Sequence, residues 1–279
     1  MNILGISRLL RPLRRNSATA LVGIAIVVTY FVVAVFAPII APYSETQIVG
    51  AKLEPWSTAY LLGTDNLGRD VLSRLLYGAR NTLGITFLVT CLAFLLGGSL
   101  GLIAAVLGGW ADNVMSRVND IFLSIPPLIF ALLFLTVLGN SMPILIVVMT
   151  VAESTRVYRV ARAVGQTVVA FDFVEAAHLR GERTWWIVRR EVLPNVIPPL
   201  VTEFGIRFCY ILLLISSLAF LGLGLQPPSA MWGSMVRDNA ILITFGDVTP
   251  LVPALAIFIL AIGINFSVDA VIEARTSLD

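Results

Sequence analysis

The stretch Phe171-Asp172-Phe173-Val174-Glu175-Ala176-Ala177-His178-Leu179-Arg180-Gly181-Glu182-Arg183 runs on through Trp185 and Trp186 to close on Val192-Leu193-Pro194-Asn195. It belongs to a polar island, 156–195, that places seven arginines between long apolar runs. From Phe171 to Arg190 most residues are good helix formers and Gly181 interrupts them, so the spacing predicts a helix, a glycine turn, a second helix and a stop at Pro194. Such a compact two-helix knob can fill a groove on a soluble partner. The alternative is a pair of interfacial helices with the tryptophans held at the headgroup level.

Around the island the chain is apolar. Of its 279 residues 58% are hydrophobic and 13% are charged, where soluble domains carry about 25% charged residues. This composition predicts an all-α polytopic membrane protein. A span needs about 20 mostly apolar residues, and six runs qualify: 20–41, 82–108, 121–138, 144–158, 200–221 and 251–272. No charge occurs between Asp120 and Glu153, yet Gly139-Asn140-Ser141-Met142-Pro143 is a turn signal that divides this region into two helices. A single long helix there would leave five spans. The first run exceeds the about 7–15 residues of a secretory signal core, and Ala37-Pro38 and Ala41-Pro42 are poor cleavage sites, so it is read as a true span. Residues 1–15, with Arg8, Arg11, Arg14 and Arg15, are expected as an amphipathic surface helix or a disordered basic tail.

The arginines give orientation. With the N-terminus inside, the cytoplasmic segments hold Arg8, Arg11, Arg14, Arg15, Arg117, the seven island arginines and Arg275; the external ones hold Lys52, Arg69, Arg74, Arg80 and Arg237. The excess of positive charge therefore places both termini and the island in the cytoplasm. A net charge of +2, with no basic stripe, excludes nucleic acid as the expected partner. Cys91 and Cys209 lie in apolar runs and read as small buried hydrophobes, and a lone His178 supports no metal site.

Within the spans, Glu203 and Arg207 stand four apart and are expected to pair along one helix. Asn265 and Asp269 repeat the spacing and suit structural hydrogen bonds. Thr86, Thr90, Ser216 and Ser217 are candidates for a polar substrate path, or return their hydroxyls to their own helix carbonyls. Gly97, Gly101 and Ala105 form a small-residue face for close helix approach, inside the bundle or against a partner, Gly108-Gly109 ends that helix, and Pro126-Pro127 is expected as an entry turn. Outside, 71–80 reads as an amphipathic helix resting on the outer interface, and Asp65, Asn66 and Gly68 suit a cap or tight turn. The glycines of 63–68 have phosphate-loop spacing but are followed by Arg69-Asp70, and Gly222-Leu223-Gly224 lacks a strand–helix setting, so no nucleotide site is expected.

The order Glu175-Ala176-Ala177, Gly181, Leu193-Pro194-Asn195 resembles the cytoplasmic EAA loop of permease subunits of ATP-binding cassette importers. Leu62-Gly63-Thr64-Asp65-Asn66-Leu67-Gly68-Arg69-Asp70-Val71 with Gly78-Ala79-Arg80, and Leu221-Gly222-Leu223-Gly224-Leu225-Gln226-Pro227-Pro228 with Trp232-Gly233, are similar to the dipeptide, oligopeptide and nickel branch. The resemblance implies a six-span type I importer permease whose Glu175, Ala176, Ala177, Gly181, Leu193 and Pro194 form a coupling helix docked on an ATPase. It departs from the usual pattern at Glu182-Arg183 and Val192, and only loosely matches at Arg275.

It further implies a prokaryotic inner (plasma) membrane, a second, homologous permease, two ATPase subunits that bind ATP and Mg, and an extracytoplasmic substrate-binding protein facing 43–80 and 226–249. The chain itself carries no cofactor and is not an enzyme. Its expected organisation is 1–80, holding the basic segment, first span and external loop, then a core, 81–279, with the coupling loop at 159–195. Dipeptides or oligopeptides are the expected cargo, with nickel, glutathione or oligosaccharides as alternatives. A secondary transporter driven by an ion gradient would need mid-membrane ionisable groups and broken repeats; an intramembrane enzyme would need a nucleophile–base pair.

Overall fold

A computed structural model describes residues 17–276, with side chains for 18–273. The expected basic helix or tail at 1–15 and the last three residues of the ending, 277–279, lie outside the described residues. Among the described residues the fold is helical, and β pairing is limited to the isolated bridges Ile48 to Arg69 and Thr64 to Asp70. The helices are α1 (Ser17–Ile40), α2 (Val71–Ala93), α3 (Ser99–Leu107), α4 (Gly109–Leu123), α5 (Pro127–Leu138), α6 (Met142–Val169), α7 (Asp172–Leu179), α8 (Thr184–Ile187), α9 (Leu193–Phe220), α10 (Trp232–Asn239) and α11 (Leu251–Thr276). One π turn, Phe94–Gly98, joins α2 to α3, and another, Val188–Val192, joins α8 to α9.

Among the described residues four helical stretches are long and apolar enough to cross a membrane: Ala18–Ile40, Val71–Leu107, Thr184–Phe220 and Leu251–Glu273. A fifth arises if α4 and α5, bent by 80° at their junction, count as one span. The expected 144–158 span lies in α6, which is long enough but carries Glu153, Arg156, Arg159 and Arg162. Those charges find partners inside the protein, so hydropathy alone undervalues the helix.

Two local expectations are corrected. The 71–80 segment is no separate interfacial helix: nothing breaks the helix between Arg80 and Thr82, so it is the opening of α2. Asp70 caps it, its Oδ2 accepting from the Ser73 N–H at 2.8 Å and the Ser73 hydroxyl at 2.6 Å. Pro194 does not stop the chain either. It follows the π turn at the opening of α9, and Thr184–Phe220 runs on as one 37-residue stretch. The entry turn expected at Pro126-Pro127 is present: Pro127 opens α5, and the chain breaks sharply there after α4, a helix of its own. The turn at Gly139, with φ +98°, does separate α5 from α6.

Contacts divide the described residues into two compact units, one holding residues up to Thr86 with those from Cys209 onward, the other Phe87–Phe208. In the first, α1 packs on α11. A Cβ on Gly23 would lie 2.8 Å from the Gly263 carbonyl oxygen, and one on Gly263 would lie 2.5 Å from Ile26 Cγ2. Small residues thus bring the two helices to backbone contact.

In the second unit the small-residue face of Gly97, Gly101 and Ala105 packs on α6. A Cβ on Gly97 would stand 2.1 Å from the Ser154 carbonyl oxygen, and one on Gly101 2.5 Å from that of Tyr158. This contact lies inside the bundle and not against a partner. Gly97→Val is expected to force the helices apart, since the obstacle is backbone, and to remove most of the folded protein, as gel filtration of the detergent-extracted subunit would record. Wild-type recovery would mean that the packing is softer than this geometry. Charge also ties α4 to α6: Arg162 holds Asp112 through both carboxylate oxygens, one at 2.6 Å, and Arg159 reaches Asp120 at 3.3 Å.

Candidate functional site

The island folds as the sequence spacing requires at its first helix and turn. Phe171 is extended (φ −83°, ψ 145°) and α7 begins behind it, with Asp172 and Glu175 in the first turn, where the helix dipole favours carboxylates. The helix ends in a Schellman turn: the Gly181 N–H donates to the His178 carbonyl at 2.9 Å and the Glu182 N–H to the Ala177 carbonyl at 3.2 Å. Gly181 has φ +78°, a left-handed conformation that suits glycine. The second helix is short, one turn over Thr184–Ile187, and passes through the π turn into α9.

One side of the knob is seated. Val174, Ala177, Ile187, Val188, Val192 and Val196 are buried with Leu102, Val106, Ala161 and Val168, so the loop is packed on α3 and α6. Leu193 and Trp186 lie against the same cluster. The other side is bare. Leu179 is 83% exposed, Trp185 59% and Phe171 53%, and the Phe171 and Phe173 rings stack with centroids 5.9 Å apart. Glu175, Ala176, Gly181 and Pro194 also face outward. Of the six motif residues, Ala177 and Leu193 therefore fasten the loop, and four belong to its free surface.

The two other motif stretches meet in a single cap of the first unit. Asp65 accepts the N–H groups of Leu67 and Arg69 at 2.8 and 3.0 Å, takes Arg69 Nε at 2.7 Å, and lies 3.3 Å from Arg74 Nε. Arg74 continues to the carbonyls of Glu45 and Pro228 at 2.9 and 3.1 Å. Trp232 is fully buried, its indole N–H donating to the Leu75 carbonyl at 3.0 Å, and it seats on Gly78, where a Cβ would come within 2.9 Å of its ring. Glu45 joins the two sides by accepting from the Ala230 N–H and the Asn81 amide at 2.8 and 3.2 Å. This reading of Asp65 as a turn residue agrees with the geometry, whereas the role of Glu45 left no local signal in the sequence.

Two of the hydroxyls expected along a substrate path bond back to their own helices. Thr86 is buried and returns its hydroxyl to the Thr82 carbonyl at 2.7 Å, as Ser217 does to Leu213 at 2.8 Å. Thr90 is buried. Ser216 and Ser217 line an apolar cavity of about 580 Å³ with Leu213, Gly233 and Phe258. Asn265 donates to the Ala261 carbonyl at 2.8 Å, as a structural hydrogen bond would. Glu203 and Arg207 pair along α9 at 2.5 Å. The sequence reading missed their neighbour Glu153, fully buried on α6. Its signal was a carboxylate closing the long uncharged run that begins after Asp120.

Comparison with known proteins agrees with this geometry. Residues 97–275 match the model of the binding-protein-dependent transport system inner membrane component, and residues 7–55 that of the N-terminal transmembrane domain of oligopeptide transport permease C. Among curated relatives, a dipeptide transport system permease protein of Alkalihalophilus pseudofirmus is 31% identical over 95% of this chain and 87% of its own. A probable D,D-dipeptide transport system permease protein of Escherichia coli is 31% identical over 92% and 87%, and a peptide transport system permease protein of Haemophilus influenzae 32% over 91% and 88%. A chain of the MetNI methionine ABC transporter in an inward-facing conformation shares the fold, with a TM-score of 0.58 at 21% identity over 73% of this chain and 95% of that one. With its membrane helices, its seated helix–glycine–helix loop and matches over most of its length, this chain belongs to the family of binding-protein-dependent transport system inner membrane components, the permease subunits of ABC importers.

Proposed function

We propose that the chain is a peptide permease half-pore, driven by separate ATPases that grip the loop 171–194. The observation that carries this reading is the two-sided loop. Its inner side is buried on α3 and α6, while Leu179, Trp185, Phe171 and Phe173 present apolar surface away from the bundle. A protein covers such a patch with a partner. The relatives' names point to peptides as cargo. Counting α6 and the bent α4–α5 pair as spans gives six, with both termini and the loop in the cytoplasm of a prokaryote, consistent with the arginine distribution.

In this reading Glu175, Ala176, Ala177, Gly181, Leu193 and Pro194 form the coupling element, with Ala177 and Leu193 holding it to the bundle. ATP and Mg²⁺ belong to the two ATPase subunits. A homologous permease completes the pore, and an extracytoplasmic binding protein delivers substrate to the cap built by 62–71 and 226–233. Division of the chain near residue 80 remains the working organisation, and Thr86, Thr90, Ser216 and Ser217 the path candidates.

Leu179→Cys in the assembled transporter is the direct test. The new thiol should cross-link to a co-expressed P-loop ATPase and react with an impermeant maleimide from the cytoplasmic side alone. Labelling from outside, or peptide uptake by the permease pair without any ATPase, would refute the assignment in favour of an ion-gradient transporter.

A further inference from the structure

Four charges meet on facing sides of α6 and α9 within the second unit. Arg156 donates to Glu153 Oε1 at 3.0 Å, and Arg207 donates to Glu203 at 2.5 Å while its Nη1 stands 3.9 Å from Glu153 Oε2. Glu153 is fully buried, and its Oε2 accepts no hydrogen bond. Such a cluster is unexpected, because a buried ion pair commonly contributes no more to stability than well-packed apolar side chains would. Ionisable groups inside apolar spans are costly and mark function by default.

Its place in the chain suggests what that function is. α6 leads into the coupling loop and α9 leads out of it. Glu153 stands 16 residues before the end of α6, and Arg207 14 residues after the start of α9, so the cluster lies about 21–24 Å along the two helices from the loop at 1.5 Å per residue. Around the same level the unit is tightly built: the Phe94 ring contacts that of Phe204 with centroids 5.2 Å apart, and Gly97 presses on the Ser154 backbone beside Glu153. The π turn Phe94–Gly98, a kind of irregularity often found at functional positions, falls here too.

We propose that Glu153 and Arg207 are positioning residues that brace α6 to α9 in the bilayer, so that a displacement of the coupling loop moves both helices as one arm. The loop joins the arm at one end and the ion cluster at the other. Without the brace, the loop would still dock and still follow the ATPases, but α6 and α9 could slip past each other before the motion reached the pore. The 3.9 Å gap is short enough for a small shift to bring Arg207 into direct hydrogen bonding with Glu153 while it keeps Glu203. The proposal rests on the coupling-loop reading above.

The test uses the complete transporter, with both permeases, ATPases and binding protein, in proteoliposomes loaded with ATP. Glu153→Gln preserves shape and removes charge. Peptide delivered per ATP hydrolysed should fall about tenfold, within the range typical of coupling between sites, while hydrolysis and ATPase co-purification stay at wild-type levels. Arg207→Gln should do the same, the double variant should be no worse than either single one, and Arg207→Lys should recover most of the ratio. Wild-type stoichiometry in Glu153→Gln would overturn the brace. So would additive losses in the double variant, or a parallel loss of uptake, hydrolysis and assembly, which would reduce the cluster to a folding role. The two readings separate cleanly: Leu179 cross-linking reports on docking, and the transport-to-hydrolysis ratio reports on the brace.

Discussion

Gly181→Pro is expected to abolish uptake by the assembled transporter while leaving peptide binding to the delivery protein untouched. The reason is local and twofold. Gly181 sits at φ +78°, and proline is confined to about −65°. Its N–H also donates to the His178 carbonyl at 2.9 Å, a bond proline cannot make. The Schellman turn therefore cannot form, α7 loses its end, and the apolar patch around Leu179 is no longer displayed where a partner can grip it. Gly181→Ala separates geometry from chemistry: the left-handed conformation costs an alanine about 1–2 kcal/mol, and a Cβ there meets nothing within 4 Å. That variant should retain measurable uptake. Normal transport by Gly181→Pro would remove the coupling role from the loop.

The largest effect on stability is expected from Asp65→Asn. Arg69 and Arg74 converge on this carboxylate, and the side chains of all three are at most 5% exposed. Removing one member of a buried charge group costs about 3–5 kcal/mol, because the partners are left uncompensated. Here two guanidinium groups would share that fate, and the link from Arg74 to Glu45 and Pro228 would lose its anchor. Thermal unfolding of the purified subunit should show a marked drop, and membrane yield should fall with it. Asp70→Ala is the comparison, since loss of a helix N-cap costs about 1 kcal/mol. Equal melting of Asp65→Asn and wild type would mean the cap does not depend on this cluster.

Much of this was legible along the chain. The apolar runs located the four strongest spans, the glycine after Arg180 announced a turn, and the four-residue spacing of Glu203 and Arg207 announced their pair. These features are local, and local periodicity records them. The misses share a cause. α4 carries Asp112, Arg117 and Asp120, which look unfit for a packed helix until Arg159 and Arg162 supply partners from α6. Glu153 is similar: its main cross-helix partner, Arg207, lies 54 positions downstream.

The amino-acid sequence by itself determined that this is a helical membrane protein and where a helix–glycine–helix loop breaks the apolar runs. Composition and spacing suffice for that, because burying a peptide backbone in hydrocarbon leaves few alternatives to a helix. Tertiary structure alone decided which faces of the loop are fastened and which are free, that the small-residue stripe of Gly97 and Gly101 serves α6, and that motifs at Asp65 and Trp232 build one cap. Those outcomes depend on contacts between residues far apart in the chain, and no local pattern encodes a partner that arrives a hundred residues later.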